Sequence, residues 1–212
     1  MCAAWAAFLA APLCHAADGA GAGTLPAVRE EEAAAEWADL IGRVRALPAE
    51  QKVTRVNEII NRRIAYERDV AGGGAREHWA APLQTLARGS GDCKDFAIAK
   101  YFALREAGIP DAQLRLMLVG LRDGGPYGTL TERHLVLAWL PRSARELLVL
   151  DNLMESIRPL SLRPDLVPLM SFNARSVWSG AGGPGALRTS ADRLTRWRRL
   201  LVANGMANRL RE

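Results

Sequence analysis

Between Glu30 and Leu47 the apolar residues Trp37, Leu40, Ile41 and Val44 fall three and four apart, and Pro48 follows them. That spacing lines one face of a helix, which the proline ends. Val53, Val56, Ile60 and Ile64 form a second stripe in a run from Ala49 to Tyr66, with charged residues opposite, and predict a second amphipathic helix. Gly72, Gly73 and Gly74 predict a loop, and a short helical segment follows near Pro82 to Ala87. A third long helix is predicted from Asp92 to Ala107, with Gly108 as its stop and Pro110 behind it. The period then changes. "LRLMLVGL" (114–121), "RHLVLAWL" (133–140) and "ELLVLDNL" (146–153) are Leu- and Val-rich runs separated by turn residues, and read as strands. "RDGGPYGTLTE" between the first two suits an antiparallel hairpin connection, "SFNARSVWSGAGGPGALR" (171–188) reads as a long Gly-rich loop, and a last helix covers Ser190 to Asn204. Helices first and strands second predict an α+β domain, its helices packed on an antiparallel sheet.

The 212 residues are 49% hydrophobic and 24% charged, which suits one globular domain and excludes a disordered or collagen-like chain. The net charge of +5 is scattered except at Arg193, Arg196, Arg198 and Arg199. With no aromatic-basic RNA motif and no zinc-finger spacing, a nucleic-acid partner is not expected. The C-terminal arginines read as the wet side of a closing helix, with docking on a receptor or an anionic membrane as the sharper alternative. The opening "MCAAWAAFLAAPLCHA" has no charged side chain, is too short to span a bilayer, and places Cys14 and Ala16 at the −3 and −1 positions of a cleavage before Ala17. Residues 1–16 are therefore expected to be a secretory signal peptide, 17–27 a flexible leader, and 28–212 a single domain acting in the periplasm. Cleavage would remove Cys2 and Cys14 and leave Cys93 as the one thiol in an oxidising compartment. Such a thiol pairs between chains, is buried and inert, or is kept for chemistry.

Its surroundings favour chemistry. In "GSGDCKDF" Asp92 fits a helix N-cap and Asp95, three residues on, the acidic member of a capping box. Cys93 is then the first helical residue, where unpaired N–H groups and the helix dipole favour a thiolate. Gly89 and Gly91 allow a tight turn and the close approach of a substrate. The flanking aspartates oppose a negative sulfur, so a positive partner is required; Lys94 is one candidate, unless its side chain is simply solvated, and a histidine is the better one because it serves as both base and counter-ion. His134 lies in the second predicted strand and Asp151 at the end of the third, whereas His78 reads as a surface loop residue. On neighbouring antiparallel strands the carboxylate can hold the imidazole while the helix N-terminus delivers Cys93: a nucleophile, a base and an orienter. Trp79 reads either as a core aromatic or as an indole donor to an oxyanion. Asn152 would orient its loop or do nothing.

The order helix-borne Cys, strand-borne His and next-strand Asp is similar to the papain/transglutaminase-like fold. "VNEIINRRIAY", "HWAAPLQTLARGSGDCKDFAIAKYFALREAGIP", "RHLVLAW", "VLDNL" and "SFNA" resemble the bacterial transglutaminase-like cysteine peptidases. These are the periplasmic LapG-type proteases that release large surface adhesins. The resemblance covers roughly residues 28 to 203 and carries a set of expectations. Cys93 would be the nucleophile, His134 the general base and later acid, and Asp151 the orienter. The substrate would be the N-terminal region of a large adhesin, cut after paired small residues so that a biofilm disperses. An inner-membrane cyclic di-GMP receptor would sequester the protease. Family members can need calcium, held by acids beside the nucleophile; here those are Asp92 and Asp95, but Lys94 stands where the family carries an acid, and Asp92 and Asp95 read equally as helix caps. The same three residues would also suit a transglutaminase-like amidase or acyltransferase, and the fold alone would suit a catalytically silent binding module.

Overall fold

α1 (Pro26–Arg45) and α2 (Ala49–Arg63) are separated by the break at Pro48. The computed structural model describes residues 26–67, 79–123, 128–183, 186 and 188–206, so the signal segment, nearly all of the leader, Gly72 to Gly74 and His78 lie outside it. Every residue of the two predicted stripes is buried. α2 ends before Tyr66 because Ala65–Tyr66 (β1) pairs in parallel with Ser90–Gly91 (β2). Ala65 N–H donates to Gly89 O and Glu67 N–H to Gly91 O, each at 2.9 Å. The chain leaving α2 is thus spent on fixing the segment that leads into the cysteine.

α3 (Pro82–Arg88) is followed by α4 (Cys93–Glu106). From Phe96 to Leu104 every residue of α4 is buried, the pattern of a helix enclosed on all sides rather than one with a wet face. The other helices cover it on one side and a seven-stranded antiparallel sheet on the other. The strands are β3 (Leu114–Arg122), β4 (Leu130–Trp139), β5 (Leu148–Leu150), β6 (Arg158–Pro159), β7 (Leu166–Phe172), β8 (Ser176–Ser179) and β9 (Arg188–Ser190). Their order across the sheet is β6-β5-β4-β3-β7-β8-β9. β3 and β4 pair antiparallel from Leu114↔Trp139 to Arg122↔Leu130, the hairpin that the turn sequence predicts. Leu116, Leu137, Trp139, Leu150 and Phe172 join the core around α4, while Met117, Val119, Val136, Ala138 and Val149 form a second, smaller cluster.

Residues 171–188 are not the loop expected. They contain the end of β7, all of β8 and the start of β9. Asn173 makes the turn: its Oδ1 accepts from Arg175 N–H at 3.0 Å and Ser176 N–H at 2.9 Å, and its Nδ2 donates to Asp111 O at 3.1 Å. Its own carbonyl accepts from the indole of the fully buried Trp197 at 2.9 Å. Trp197 belongs to α5 (Thr195–Ala203), which follows a short 3-10 turn rather than starting at Ser190. Arg196, Arg198 and Arg199 face solvent.

Candidate active site

The segment "GSGDC" is built from two different glycine requirements. Gly89 ends α3 with φ +76, in the left-handed region that disfavours a side chain. Gly91 has no such constraint; a Cβ there would lie 2.6 Å from Asp95 Oδ2. The space expected for a substrate is therefore filled by the capping carboxylate. That carboxylate accepts from Asp92 N–H at 3.1 Å and from Arg88 Nη2 at 3.0 Å. Asp92 Oδ1 accepts from Lys94 N–H at 3.0 Å, and Asp92 Oδ2 is paired with the Lys94 ammonium. The reciprocal box sets Cys93 as the first residue of α4. Burial, and then the neighbouring Asp92 charge, raise the Asp95 carboxyl above its ordinary value despite Lys94 and Arg88.

His134 on β4 is buried, and its Nε2 lies 2.7 Å from Asp151 Oδ1. The pairing of β4 with β5 ends at Leu137↔Leu150, and Asp151 follows at once outside the strand, so its carboxylate is not bound to the sheet's alternation and reaches His134 further back along β4. The Cys93 thiol lies close enough to the ring to bear on its charge. Burial opposes a charged ring, but the contacts with Asp151 and Cys93 and the negative charges of both push His134 up to about 9. Burial likewise opposes the Asp151 charge, yet His134, the Leu153 N–H and Arg163 hold this carboxyl well below the usual carboxylate range. The arrangement sets an imidazole raised toward its charged form beside a thiol, with a carboxylate fixing the ring.

Asp151 is held from two further directions. Asn61 on α2 donates to its backbone carbonyl at 2.8 Å, and Asn57, one turn earlier, donates to Glu155 O at 2.9 Å. Arg163 Nη2 donates to Asp151 Oδ2 at 2.8 Å. On α4, burial pushes Lys100 down to about 7, with the Asp151 charge acting in the other direction. Sequence reasoning assigned no role to these residues. Asn57 had a visible signal, an amide inside the apolar stripe of α2; Arg163 had none. Asn152 is half-buried beside Asp151. Trp79 stacks on Phe172 with centroids 5.9 Å apart and lies 6.3 Å from the Trp197 ring, which supports its reading as a core aromatic.

The sequence profile of the bacterial transglutaminase-like cysteine proteinases matches residues 32–164, a span that includes the cysteine, the histidine and the aspartate. The chain belongs to this family. Two solved structures extend the likeness from site to fold. LapG of Legionella pneumophila is 31% identical over 83% of this chain and 95% of its own, with a TM-score of 0.67. The calcium-bound form of that LapG is 33% identical over 82% of this chain and 91% of its own, with a TM-score of 0.69. No curated protein sequence matches. The transglutaminase-like α+β fold expected from the sequence is the fold observed, and this bacterial transglutaminase-like cysteine proteinase is a protease that hydrolyses peptide bonds.

Proposed function

We propose that this protease is a periplasmic endopeptidase that cuts the N-terminal region of a large secreted adhesin and so controls surface attachment. The observation that carries the reading is the bonded pair His134–Asp151 with Cys93 beside the imidazole in a protein 31–33% identical to LapG. In this mechanism the Cys93 thiolate attacks the scissile carbonyl carbon. The C=O electron pair moves to oxygen, where the Cys93 backbone N–H at the start of α4 receives the oxyanion. His134 passes its Nδ1 proton to the leaving amine as the C–N bond breaks, giving a thioester. The neutral ring then takes a proton from water, the hydroxide displaces the sulfur, and the acid product leaves. Asp151 keeps the ring oriented throughout. The uncharged opening segment supports export, and an inner-membrane cyclic di-GMP receptor is the partner this role calls for.

The test is incubation with the purified N-terminal fragment of a large, repeat-containing secreted protein encoded beside this gene. One discrete cut near the fragment's N-terminus is expected. Persistence of the intact fragment, in a preparation whose Cys93 is reactive, would redirect the search to another protein substrate.

A calcium-bound relative invites the question of metal in this chain. Calcium takes about six to eight oxygen ligands. Both Asp92 oxygens are engaged by Lys94, and Asp95 Oδ2 by Asp92 N–H and Arg88, so only Asp95 Oδ1 is a buried oxygen without a partner. Among the described residues no group of three or more His, Cys, Asp or Glu side chains could hold a metal ion. One spare oxygen beside an ammonium is a poor calcium site, and the residues do not fit the metal. Treatment with EGTA is therefore expected to leave the cleavage rate unchanged. Loss of activity in EGTA, restored by added calcium, would reverse this reading.

A further inference from the structure

Asp151 uses its two oxygens differently. Oδ1 accepts from His134 Nε2 at 2.7 Å and from Leu153 N–H at 3.0 Å, while Oδ2 accepts from Arg163 Nη2 at 2.8 Å. All three side chains are enclosed: Asp151 is 0% exposed, Arg163 3% and His134 4%. Arg163 does not owe its position to Asp151 alone. Its Nε and Nη2 fork onto Asp165, at 2.9 Å to Oδ1 and 2.7 Å to Oδ2, and the Asp165 carboxylate is 41% exposed. The turn carrying both residues is anchored in turn, by Leu166 N–H to Arg163 O at 3.0 Å and by Arg122 N–H, at the end of β3, to Asp165 O at 2.8 Å. The guanidinium is therefore a planar bridge between a surface carboxylate and the buried carboxylate behind His134, pinned to the sheet at its far end.

We propose that Arg163 is a positioning residue of the triad, fixing the rotation of the Asp151 carboxylate and taking up part of its charge. A carboxylate bonded through only one oxygen can turn about its Cβ–Cγ bond; bonded through both, it presents Oδ1 to His134 in one orientation. The charge effect follows from the groups that face Asp151. These are His134 on β4, Lys100 on α4, and Arg163, with Asp165 beyond the guanidinium and Cys93 beyond the imidazole. With Arg163 present, the Asp151 charge is shared between guanidinium and imidazolium. Without it the carboxylate leans on the imidazolium, which then holds its proton more tightly and yields it less readily to a leaving amine.

The inference rests on the Cys93–His134–Asp151 reading, and the test separates the two. The rate of carboxamidomethylation of Cys93 by iodoacetamide is measured against pH, with the labelled peptide identified by mass. In the wild type the profile should include an inflection near 9, where His134 titrates, besides the ionisation of the thiol itself, and His134→Ala should leave only the latter. If the wild type shows no inflection that depends on His134, the triad reading itself has failed. Given the inflection, Arg163→Gln should move it to higher pH and lower kcat about 10- to 100-fold, as outer partners of catalytic groups commonly do, with KM nearly unchanged. Arg163→Lys keeps a charge but not the fork and should fall between. A purely structural role would reduce the fraction of labelable protein but not move the inflection. An inflection at its wild-type pH in either folded variant, or failure of both to give a native circular dichroism spectrum, would overturn the proposal.

Discussion

Cys93→Ala is expected to abolish peptide hydrolysis and to leave the fold in place. In the proposed mechanism the Cys93 sulfur forms the covalent intermediate, and an alanine methyl group cannot; losses on the order of 10⁶-fold in kcat accompany removal of a protease nucleophile. The separation of activity from stability is the informative part, and it follows from how α4 begins. The cap is made by Asp92, Asp95 and the backbone N–H groups, none of which involves the sulfur. Alanine is a good residue in a helix, and Cys93 is only partly buried, so the stability cost should be about 1 kcal/mol or less. Thermal unfolding of the variant should match the wild type while cleavage of the fragment disappears. Undiminished cleavage by the alanine variant would remove Cys93 from the mechanism altogether.

The position of Cys93 is legible in the sequence because its determinants are local. A left-handed glycine, a glycine without room for a side chain, an N-cap and its reciprocal acid all lie within seven residues of one another. His134 is legible as a strand residue because its apolar neighbours repeat along a long run, whereas the predicted strand 146–153 shrinks to β5, Leu148–Leu150, and Asp151 lies just past its end. The far half of the sheet is not legible in this way. β7 carries Pro168 at the register shift opposite Val119, and a proline inside an apolar run lowers its reading as a strand. β8 and β9 are short, and β9 is exposed along its length. These edges exist because β3 and the Asn173 turn give them partners, which no local pattern encodes. Arg163 is hidden for the same reason. It reaches Asp151 across two turns of chain, and nothing in the residues around it distinguishes it from the arginines that face water.

Asp151→Asn is the second large effect expected, a loss of about 10³- to 10⁴-fold in kcat, and the surroundings of this carboxylate explain why the isosteric change is not mild. Asp151 accepts from three donors: His134 Nε2, the Leu153 N–H and Arg163 Nη2. An asparagine offers one acceptor oxygen and one NH₂. If the oxygen keeps His134 and Leu153, the NH₂ points at the Arg163 guanidinium, donor against donor. If the amide flips to satisfy Arg163, the NH₂ faces Nε2 and the ring must carry its proton on Nδ1, toward the sulfur, where it cannot act as a base. Arg163 keeps Asp165 as a partner, so the stability cost should fall toward the low end of the about 3–5 kcal/mol for a broken buried ion pair. The measurement is kcat per iodoacetamide-reactive site, alongside thermal unfolding. Arg163→Gln in the Asp151→Asn background should recover part of the lost stability, because glutamine can present its carbonyl to the amide, but none of the rate. Near-wild-type kcat in Asp151→Asn would mean that the carboxylate's charge is dispensable and that His134 is oriented by the strand alone.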